Sequence, residues 1–216
     1  MIAVAFALAG CAQEPNDSGL GCDRSPVPCL NGTARVALET GKGTVVLEVD
    51  GKDAPLTAGN FVDLVKRGIY NGTLFHRVVR SPMPFVVQGG DPTTADSKTP
   101  VTAYGTGNFI DPSTGEGRFI PLEFRLKPSG QLLYGQEVGS AFLPRKPVLL
   151  HDRGVVAMAR SADPNSASSQ FYITLKPLPE LDGRYAVFGR VIQGMDVVDR
   201  LQQGDKLIRA QLLTGR

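Results

Sequence analysis

Residues 74–91 read LFHRVVRSPMPFVVQGGD, and this stretch is the best guide to the fold. It contains two short runs rich in Val and Phe, at residues 74–79 and 85–88, and a Gly-Gly pair follows the second run. Short apolar runs bounded by Pro and Gly are typical of β-strands. Arg77 stands between apolar residues of the first run, so a functional role explains it better than a surface ion pair does.

The same pattern of short runs continues on both sides of this stretch. Residues 36–38 and 45–49 alternate apolar and polar side chains around a Gly-containing turn, which predicts a hairpin with one buried face. Further strands are predicted at residues 119–124, 155–159, 171–175, 186–192 and 207–213. In the last of them, alternation places Ile208, Ala210 and Leu212 inward. Many short strands separated by turns indicate a mainly β fold, either a barrel or a sandwich.

Two segments have helical spacing of their apolar residues. One covers residues 55–67, with Thr57 as a candidate for its cap, and a shorter one covers residues 195–202. Residues 92–153, by contrast, are rich in Gly, Pro, Ser and Thr and show weak periodicity. Because a structureless loop of that length is rare in a compact domain, we expect this segment to contain its own hairpin or short helix over one face of the sheet.

Composition excludes several classes of protein. The chain has 216 residues, of which 42% are hydrophobic and 20% charged, as in ordinary globular proteins. Lys and Arg outnumber Asp and Glu by 23 to 21, a balance unlike that of proteins that bind nucleic acid through its phosphates. The longest apolar runs of the chain are shorter than the ~18 residues that a membrane-spanning helix needs. With two His and three Cys, a structural zinc cluster is disfavoured, and we expect no metal.

The amino terminus has the features of an export signal. Residues 1–10 form a short apolar run that ends in small residues, as in secretory signals. The sequence Leu-Ala-Gly-Cys at residues 8–11 resembles the bacterial lipobox, in which the cysteine carries a lipid, although no Lys or Arg precedes the apolar run. Residues 11–34 are rich in Pro, Gly, Ser, Asn and Asp, which predicts a flexible tether. We therefore expect an exported protein that contacts a membrane only through a lipid on Cys11.

Cys22 and Cys29 lie in this tether with six residues between them. Outside the cytoplasm they could form a disulfide loop, remain free or bridge two chains. The body after Ala34 contains no cysteine, so its hydrophobic core must be sufficient to stabilise it.

Further motifs accompany residues 75–91, and together they identify a family. They are GVVAMAR at residues 154–160, SSQFYI at 168–173 and LDGRYAVFGRV at 181–191. In this order the motifs resemble those of the cyclophilin-type peptidyl-prolyl cis-trans isomerases. The resemblance implies a closed eight-stranded antiparallel barrel capped by two helices, within residues 35–216, with 92–153 as an inserted segment. Residues 109–123 further resemble cyclophilins of cyanobacteria and chloroplast lumens, which suggests a secreted or lipoprotein-like bacterial member.

The same resemblance implies which residues form the active site. Arg77 and Gln88 are the implied catalytic residues: Arg77 stabilises the twisted X–Pro amide, and Gln88 orients Arg77 and the substrate. The implied substrate-binding residues are Phe85, Val86, Ala159, Arg160, Gln170, Tyr172, Leu181 and Tyr185. Tyr172 stands where a phenylalanine is expected and adds a hydroxyl group to the pocket wall.

The function implied is prolyl isomerisation that assists protein folding outside the cytoplasm, in a periplasm or a thylakoid lumen. It requires no cofactor, and the expected partners are unfolded or extended polypeptides containing proline, bound by a monomer. Two alternatives stay open: a non-catalytic module that holds a proline-containing segment in the same groove, and an assembly role through residues 92–153. His76 and His151 are each interpreted as packed or surface residues rather than catalysts.

Overall fold

The computed structural model describes residues 21–22, 25–138 and 145–213. The signal-like segment 1–10, the predicted lipidation site Cys11 and the first half of the predicted tether lie outside the described residues. No helix in the described ranges combines the length and the apolar character needed to cross a bilayer.

The architecture is mainly β with two α-helices in the described ranges. The strands are β1 (Thr33–Thr40), β2 (Gly43–Asp50), β3 (Arg77–Val78), β4 (Val86–Gly89), β5 (Glu123–Lys127), β6 (Leu132–Tyr134), β7 (Lys146–Pro147), β8 (Val155–Met158), β9 (Phe171–Thr174), β10 (Val187–Gln193) and β11 (Leu207–Leu213). The helices are α1 (Pro55–Lys66) and α2 (Met195–Arg200). Eight strands form one antiparallel, curled sheet in the order β11–β1–β2–β10–β8–β9–β4–β3.

The closed barrel that the sequence predicts is not confirmed. The sheet ends at β11 on one side and β3 on the other, and within the described residues no ladder joins these two strands. They approach through an isolated bridge between Leu74 and Lys206, supported by a hydrogen bond from the Leu207 N–H to the Thr73 carbonyl (2.8 Å). Because β3 has only two residues, it offers too few backbone groups to continue the pairing. The result is a half-barrel.

Helix α1 fills the concave side of the half-barrel. Its apolar residues recur at helical spacing, and Leu56, Phe61 and Leu64 are fully buried. The Phe61 ring packs against the rings of Tyr70, Phe171 and Phe188, with centroids 5.2, 5.4 and 4.9 Å away. Aromatic contacts of this kind add to the burial energy of a core. The main core therefore lies between α1 and the sheet.

The cap of α1 comes from a residue distant in sequence. Thr57 is not the N-cap; Ala54 occupies that position and offers no side-chain acceptor. Instead the carboxylate of Glu123 accepts hydrogen bonds from the N–H groups of Leu56 (3.1 Å) and Thr57 (2.8 Å). A helix start leaves such N–H groups without intrahelical partners, so a buried carboxylate there stabilises it. Burial raises the pKa of Glu123, while these hydrogen bonds act in the opposite direction.

The inserted segment folds onto the body. It begins with 3₁₀ turns at Pro92–Ala95 and Val101–Ala103, and β5 pairs with β6 in a hairpin, one of the two structures that the sequence leaves open for this segment. The strand predicted at residues 119–124 begins only at Glu123, and Ile120 forms an isolated bridge with Ala167 instead. A small separate core supports the segment: Leu122, Phe124, Leu126, Leu133, Val138 and Ala186.

The described part of the predicted tether is packed against the body. Val27 is 3% exposed within the main core, and the Leu30 N–H donates to the Pro55 carbonyl at 3.0 Å. Cys22 and Cys29 form a disulfide. The backbone comes so close to α1 that a Cβ at Gly59 would lie 2.0 Å from the Pro28 carbonyl oxygen. The burial of an apolar side chain contributes about 1.5–3 kcal/mol, which explains why the residues around Val27 stay packed against the body.

Candidate functional site

A cavity of about 240 Å³ opens where the predicted site residues meet. Nine of the ten residues implied from the sequence line it: Arg77, Phe85, Val86, Gln88, Ala159, Arg160, Tyr172, Leu181 and Tyr185. The tenth, Gln170, lies next to this cavity and contacts Gln88. The structure therefore brings together residues that are more than 100 positions apart in the chain.

Sheet register explains the arrangement. Arg77 of β3 lies opposite Gln88 of β4, and Gln88 lies opposite Tyr172 of β9. Residues directly opposite on neighbouring strands project from the same face of a sheet. Val86 is two positions before Gln88 and shares this face. Pairing of three short strands thus places a cation, an amide and an aromatic ring in one row.

A chain of hydrogen bonds holds the polar end of this row. Nη1 of Arg77 donates to Oε1 of Gln88 at 3.2 Å, and Nε2 of Gln88 donates to Oε1 of Gln170 at 3.1 Å. Nε2 of Gln170 in turn donates to the carbonyls of Gly105 (3.0 Å) and Gly107 (2.8 Å). The Arg77 guanidinium also lies 5.8 Å from the centroid of the Phe85 ring. Arg77 is exposed, and its contact with Gln88 uses one of five N–H donors.

Aromatic and aliphatic side chains form the wall opposite Arg77. Val86 and Tyr172 are buried, at 1% and 5% exposure, and pack with Leu178 and Val187 in a small cluster. The Tyr172 ring meets the Tyr185 ring edge-on, at 5.9 Å between centroids and 83° between planes. This wall is suited to a small apolar ring.

Arg160 packs against the Tyr185 ring of the same wall. Its guanidinium lies 4.9 Å above the Tyr185 ring and donates to the Arg184 carbonyl at 2.8 and 2.9 Å. It also forms an ion pair with Glu137 of the inserted segment. The Arg160 side chain is therefore engaged with the protein, and its contact with Glu137 is not evident from the sequence.

A polar chain lies behind the wall. Nδ1 of His151 is 2.9 Å from Oδ1 of Asp182, and Nε2 of His151 is 2.9 Å from the Tyr172 hydroxyl oxygen. Burial lowers the pKa of His151 and raises the pKa of Tyr172, so both groups are neutral near pH 7. From the sequence, His151 is interpreted as a packed or surface residue. The only signal for this contact is the extra hydroxyl at position 172, and it does not indicate a partner.

A second cavity of about 590 Å³ adjoins the first. The two share Gln88, Ala159 and Arg160, and the larger one is lined mainly by polar side chains such as Asn108, Asp163, Asn165 and Ser166. The inserted segment contributes Gly105, Thr106, Asn108 and Phe119 to its lining. In the described residues the segment therefore forms part of the wall of the neighbouring cavity and contributes no residue to the smaller one.

Comparison with known proteins gives one consistent result. The family model described as cyclophilin type peptidyl-prolyl cis-trans isomerase/CLD matches residues 35–211. A Synechocystis protein named for the thylakoid lumen and for peptidyl-prolyl cis-trans isomerase is 38% identical over 199 residues, which cover 88% of this chain and 49% of that protein. This chain thus spans about half of that relative. Mouse peptidyl-prolyl cis-trans isomerase-like 1 is 37% identical over 166 residues, 77% of this chain and 78% of that protein.

Solved structures show the same fold. A cyclophilin-type isomerase of Cryptosporidium parvum matches with a TM-score of 0.61 and 24% identity, covering 85% of this chain and 99% of that one. A structure of that protein solved in the presence of the dipeptide Ala-Pro matches with a TM-score of 0.60 and 25% identity, covering 84% and 99%.

Proposed function

The chain belongs to the cyclophilin-type peptidyl-prolyl cis-trans isomerases, and we propose that it catalyses rotation about X–Pro peptide bonds in the cavity beside Arg77. The observation that carries this proposal is the position of Arg77. Gln88 holds its guanidinium at the edge of a cavity whose wall includes the aromatic rings of Phe85 and Tyr172. Such a site offers one fixed cationic donor next to a surface for a proline ring.

The chemistry needs no covalent step. An X–Pro amide rotates slowly because its C–N bond has partial double-bond character, with a barrier of about 18–20 kcal/mol. When the amide twists, resonance is lost and the nitrogen lone pair becomes a hydrogen-bond acceptor. A donor aimed at that nitrogen stabilises the twisted state more than either planar state, which lowers the barrier. The guanidinium group of an arginine carries five N–H donors and no acceptor, so Arg77 donates a hydrogen bond and transfers no proton.

Gln88 and the apolar wall have separate tasks in this mechanism. Gln88 fixes the guanidinium through Oε1, and the register between β3 and β4 fixes Gln88 itself. The proline ring is bound by Phe85, Val86, Tyr172, Leu181 and Tyr185, because apolar surface removed from water stabilises the complex. The adjoining polar cavity offers space to the residues that flank the proline.

We further propose that the protein acts outside the cytoplasm as a monomer, with residues 35–216 as the isomerase domain and a lipid on Cys11 as its attachment to a membrane. Two observations support export. The Synechocystis relative carries a name that refers to the thylakoid lumen. The disulfide between Cys22 and Cys29 is of a kind that persists in oxidising compartments. The substrates would be unfolded or extended polypeptides that contain proline.

A second candidate is a non-catalytic module that holds a proline-containing segment in the same groove. The larger polar cavity built partly by the inserted segment favours it, since this cavity adds binding surface away from Arg77. Exchange of an Ala-Pro peptide, measured by NMR with the parent protein and with Arg77→Ala, distinguishes the two. Isomerisation requires acceleration that the variant loses, whereas a binding module binds the peptide without accelerating exchange.

A further inference from the structure

Asp182, His151 and Tyr172 form a continuous hydrogen-bonded chain that ends at the wall of the proline cavity. They come from three separate places: the residue after the 3₁₀ turn Pro179–Leu181, the loop before β8, and β9. The distances are 2.9 Å from Asp182 Oδ1 to His151 Nδ1, and 2.9 Å from His151 Nε2 to the Tyr172 hydroxyl oxygen. None of the steps in the proposed mechanism uses His151 or Asp182.

The geometry fixes the position of the hydrogens in this chain. Asp182 Oδ1 also accepts the backbone N–H of His151 at 2.7 Å, so the carboxylate is held against the ring from two directions. A carboxylate offers only acceptors, and therefore the His151 hydrogen lies on Nδ1. Nε2 then has a lone pair, and the Tyr172 O–H donates to it. The hydroxyl hydrogen consequently lies on the His151 side of the ring.

Both partners of the last hydrogen bond are buried. His151 is 2% exposed and Tyr172 is 5% exposed. A buried hydroxyl group without a hydrogen-bond partner destabilises the folded protein, so it turns towards any acceptor within reach. With His151 in place, the Tyr172 ring lies nearly parallel to the imidazole, at 14° and 6.1 Å between centroids, and edge-on to Tyr185. The hydrogen bond to His151 thus sets the direction of the hydroxyl group, and the Tyr172 ring contacts both the imidazole and the Tyr185 ring.

We propose that His151 is a positioning residue for the proline pocket: it holds Tyr172 by the hydroxyl group, so that the ring presents apolar surface to the bound proline. Asp182 selects the imidazole tautomer that makes this possible. The proposal rests on the proposed function, because it assigns the Tyr172 ring to the pocket for proline.

Protonation of His151 would reverse this arrangement. A second hydrogen on Nε2 would face the Tyr172 oxygen, so the hydroxyl group would have to accept, and its own hydrogen would need another direction. The charged and titratable groups facing His151 are Asp182 and Glu180 from the 179–182 turn, and Tyr172 from β9. Arg160 and Tyr185 face Tyr172 from the other side. The two acidic groups favour the proton on His151 and burial opposes it.

A double-mutant cycle tests the proposal in the full chain. The variants are His151→Phe, Tyr172→Phe and the combination, and the readouts are the dissociation constant of an Ala-Pro peptide and, separately, kcat and KM for its exchange. We expect His151→Phe to weaken peptide binding about three- to tenfold in the parent, the range of one buried hydrogen bond, and to raise KM more than it lowers kcat. In the Tyr172→Phe background, the same substitution should change binding less than about twofold. An equal loss in both backgrounds would overturn the proposal, because His151 would then act without the hydroxyl group.

A nitrogen NMR spectrum of the unmodified protein gives a second test that needs no variant to fold. Near pH 7 we expect His151 to carry hydrogen on Nδ1 and none on Nε2. The opposite tautomer would contradict the proposal, since Nε2 could then not accept from Tyr172. Failure of the proposed isomerase function can be distinguished from failure of this proposal. It would appear as a folded parent that binds the peptide without accelerating its exchange. The double-mutant cycle on binding and the His151 tautomer would still be measurable in that case.

Discussion

Arg77 and Gln88 face each other across the β3–β4 pair, and the guanidinium donates to the Gln88 amide oxygen at 3.2 Å. Gln88 also donates to Gln170, and Gln170 donates to the carbonyls of Gly105 and Gly107, so three successive hydrogen bonds link the exposed arginine to the backbone. The guanidinium is thus positioned before a substrate arrives. An arginine held in advance loses less conformational freedom when a twisted amide forms beside it.

Gln88→Ala should therefore lower kcat about tenfold or more while the protein remains folded, because Arg77 keeps its charge and loses its fixed position. Gln88→Glu should restore part of the loss, since a carboxylate oxygen also accepts from Arg77. The measurement is peptide exchange by NMR at saturating peptide, with thermal unfolding as a check on folding. A Gln88→Ala variant with the kcat of the parent would show that the hydrogen bond does not position Arg77 for the reaction.

Glu123→Ala should reduce the free energy of unfolding by about 2–4 kcal/mol. The substitution leaves the N–H groups of Leu56 and Thr57 buried without acceptors, each at a cost of about 1–3 kcal/mol. Urea denaturation measures the effect. Glu116→Ala is the matched control, because Glu116 lies in the same inserted segment and is exposed. Equal losses in the two variants would mean that Glu123 does not cap α1.

Gly59→Ala should be strongly destabilising or should detach residues 27–30 from α1. The new Cβ would lie 2.0 Å from the Pro28 carbonyl oxygen, closer than any van der Waals contact allows. Gly41→Ala is the control, since a Cβ at Gly41 meets nothing within 4 Å. Hydrogen exchange of the Leu30 amide, which donates to Pro55, reports the detachment. Unchanged exchange in Gly59→Ala would contradict the packing of this segment.

The stability that His151 contributes should depend on pH in a definite direction. Burial lowers the pKa of His151 below its ordinary value of 6.5, so the unfolded chain takes up the proton at a higher pH than the folded protein does. The contribution of His151 to stability is complete at pH values above its pKa in the unfolded chain. It is lost as the pH falls from that pKa through the lower pKa of the folded protein. The difference in free energy of unfolding between the parent and His151→Phe should accordingly shrink on acidification from pH ~7.5 to ~5.5. Comparing these two proteins removes the titrations of His76 and Glu123, which both share. A difference that grows on acidification would mean that the folded state favours the imidazolium.

Elements that depend on local pattern could be predicted from the sequence. The hairpin of β1 and β2 follows from alternation and the helix α1 from spacing of three and four, and the structure confirms both. Strand β11 has the predicted bounds, but Ile208 is 51% exposed, contrary to the alternation. An irregularity in the pairing with β1, at Glu39 and Thr40, shifts the buried positions to Leu207 and Ala210.

Features set by contacts between distant residues could not be predicted. Glu123 caps a helix 66 positions earlier, and nothing in the sequence near Thr57 indicates that an acceptor arrives from elsewhere. Val27 belongs to the main core although its neighbours have the composition of a linker. For the site, the family motifs indicated nine residues that line one cavity. The hydrogen bond between His151 and Tyr172, however, is evident only from the three-dimensional structure. A side-chain hydrogen bond depends on tertiary geometry that a single sequence does not encode locally.

Catalysis through Arg77 is tested by cis-to-trans exchange of an Ala-Pro peptide, followed by NMR with the full chain, with Arg77→Ala and with Arg190→Ala. Arg190 is the matched control because it is an exposed arginine that pairs with Glu48 on the surface, where an ion pair contributes little to stability. We predict acceleration by the parent and by Arg190→Ala, and a loss of at least about 100-fold in Arg77→Ala, the size of effect seen when one transition-state donor is removed. A folded parent without acceleration, or an Arg77→Ala variant as active as Arg190→Ala, would show that Arg77 does not stabilise the twisted amide.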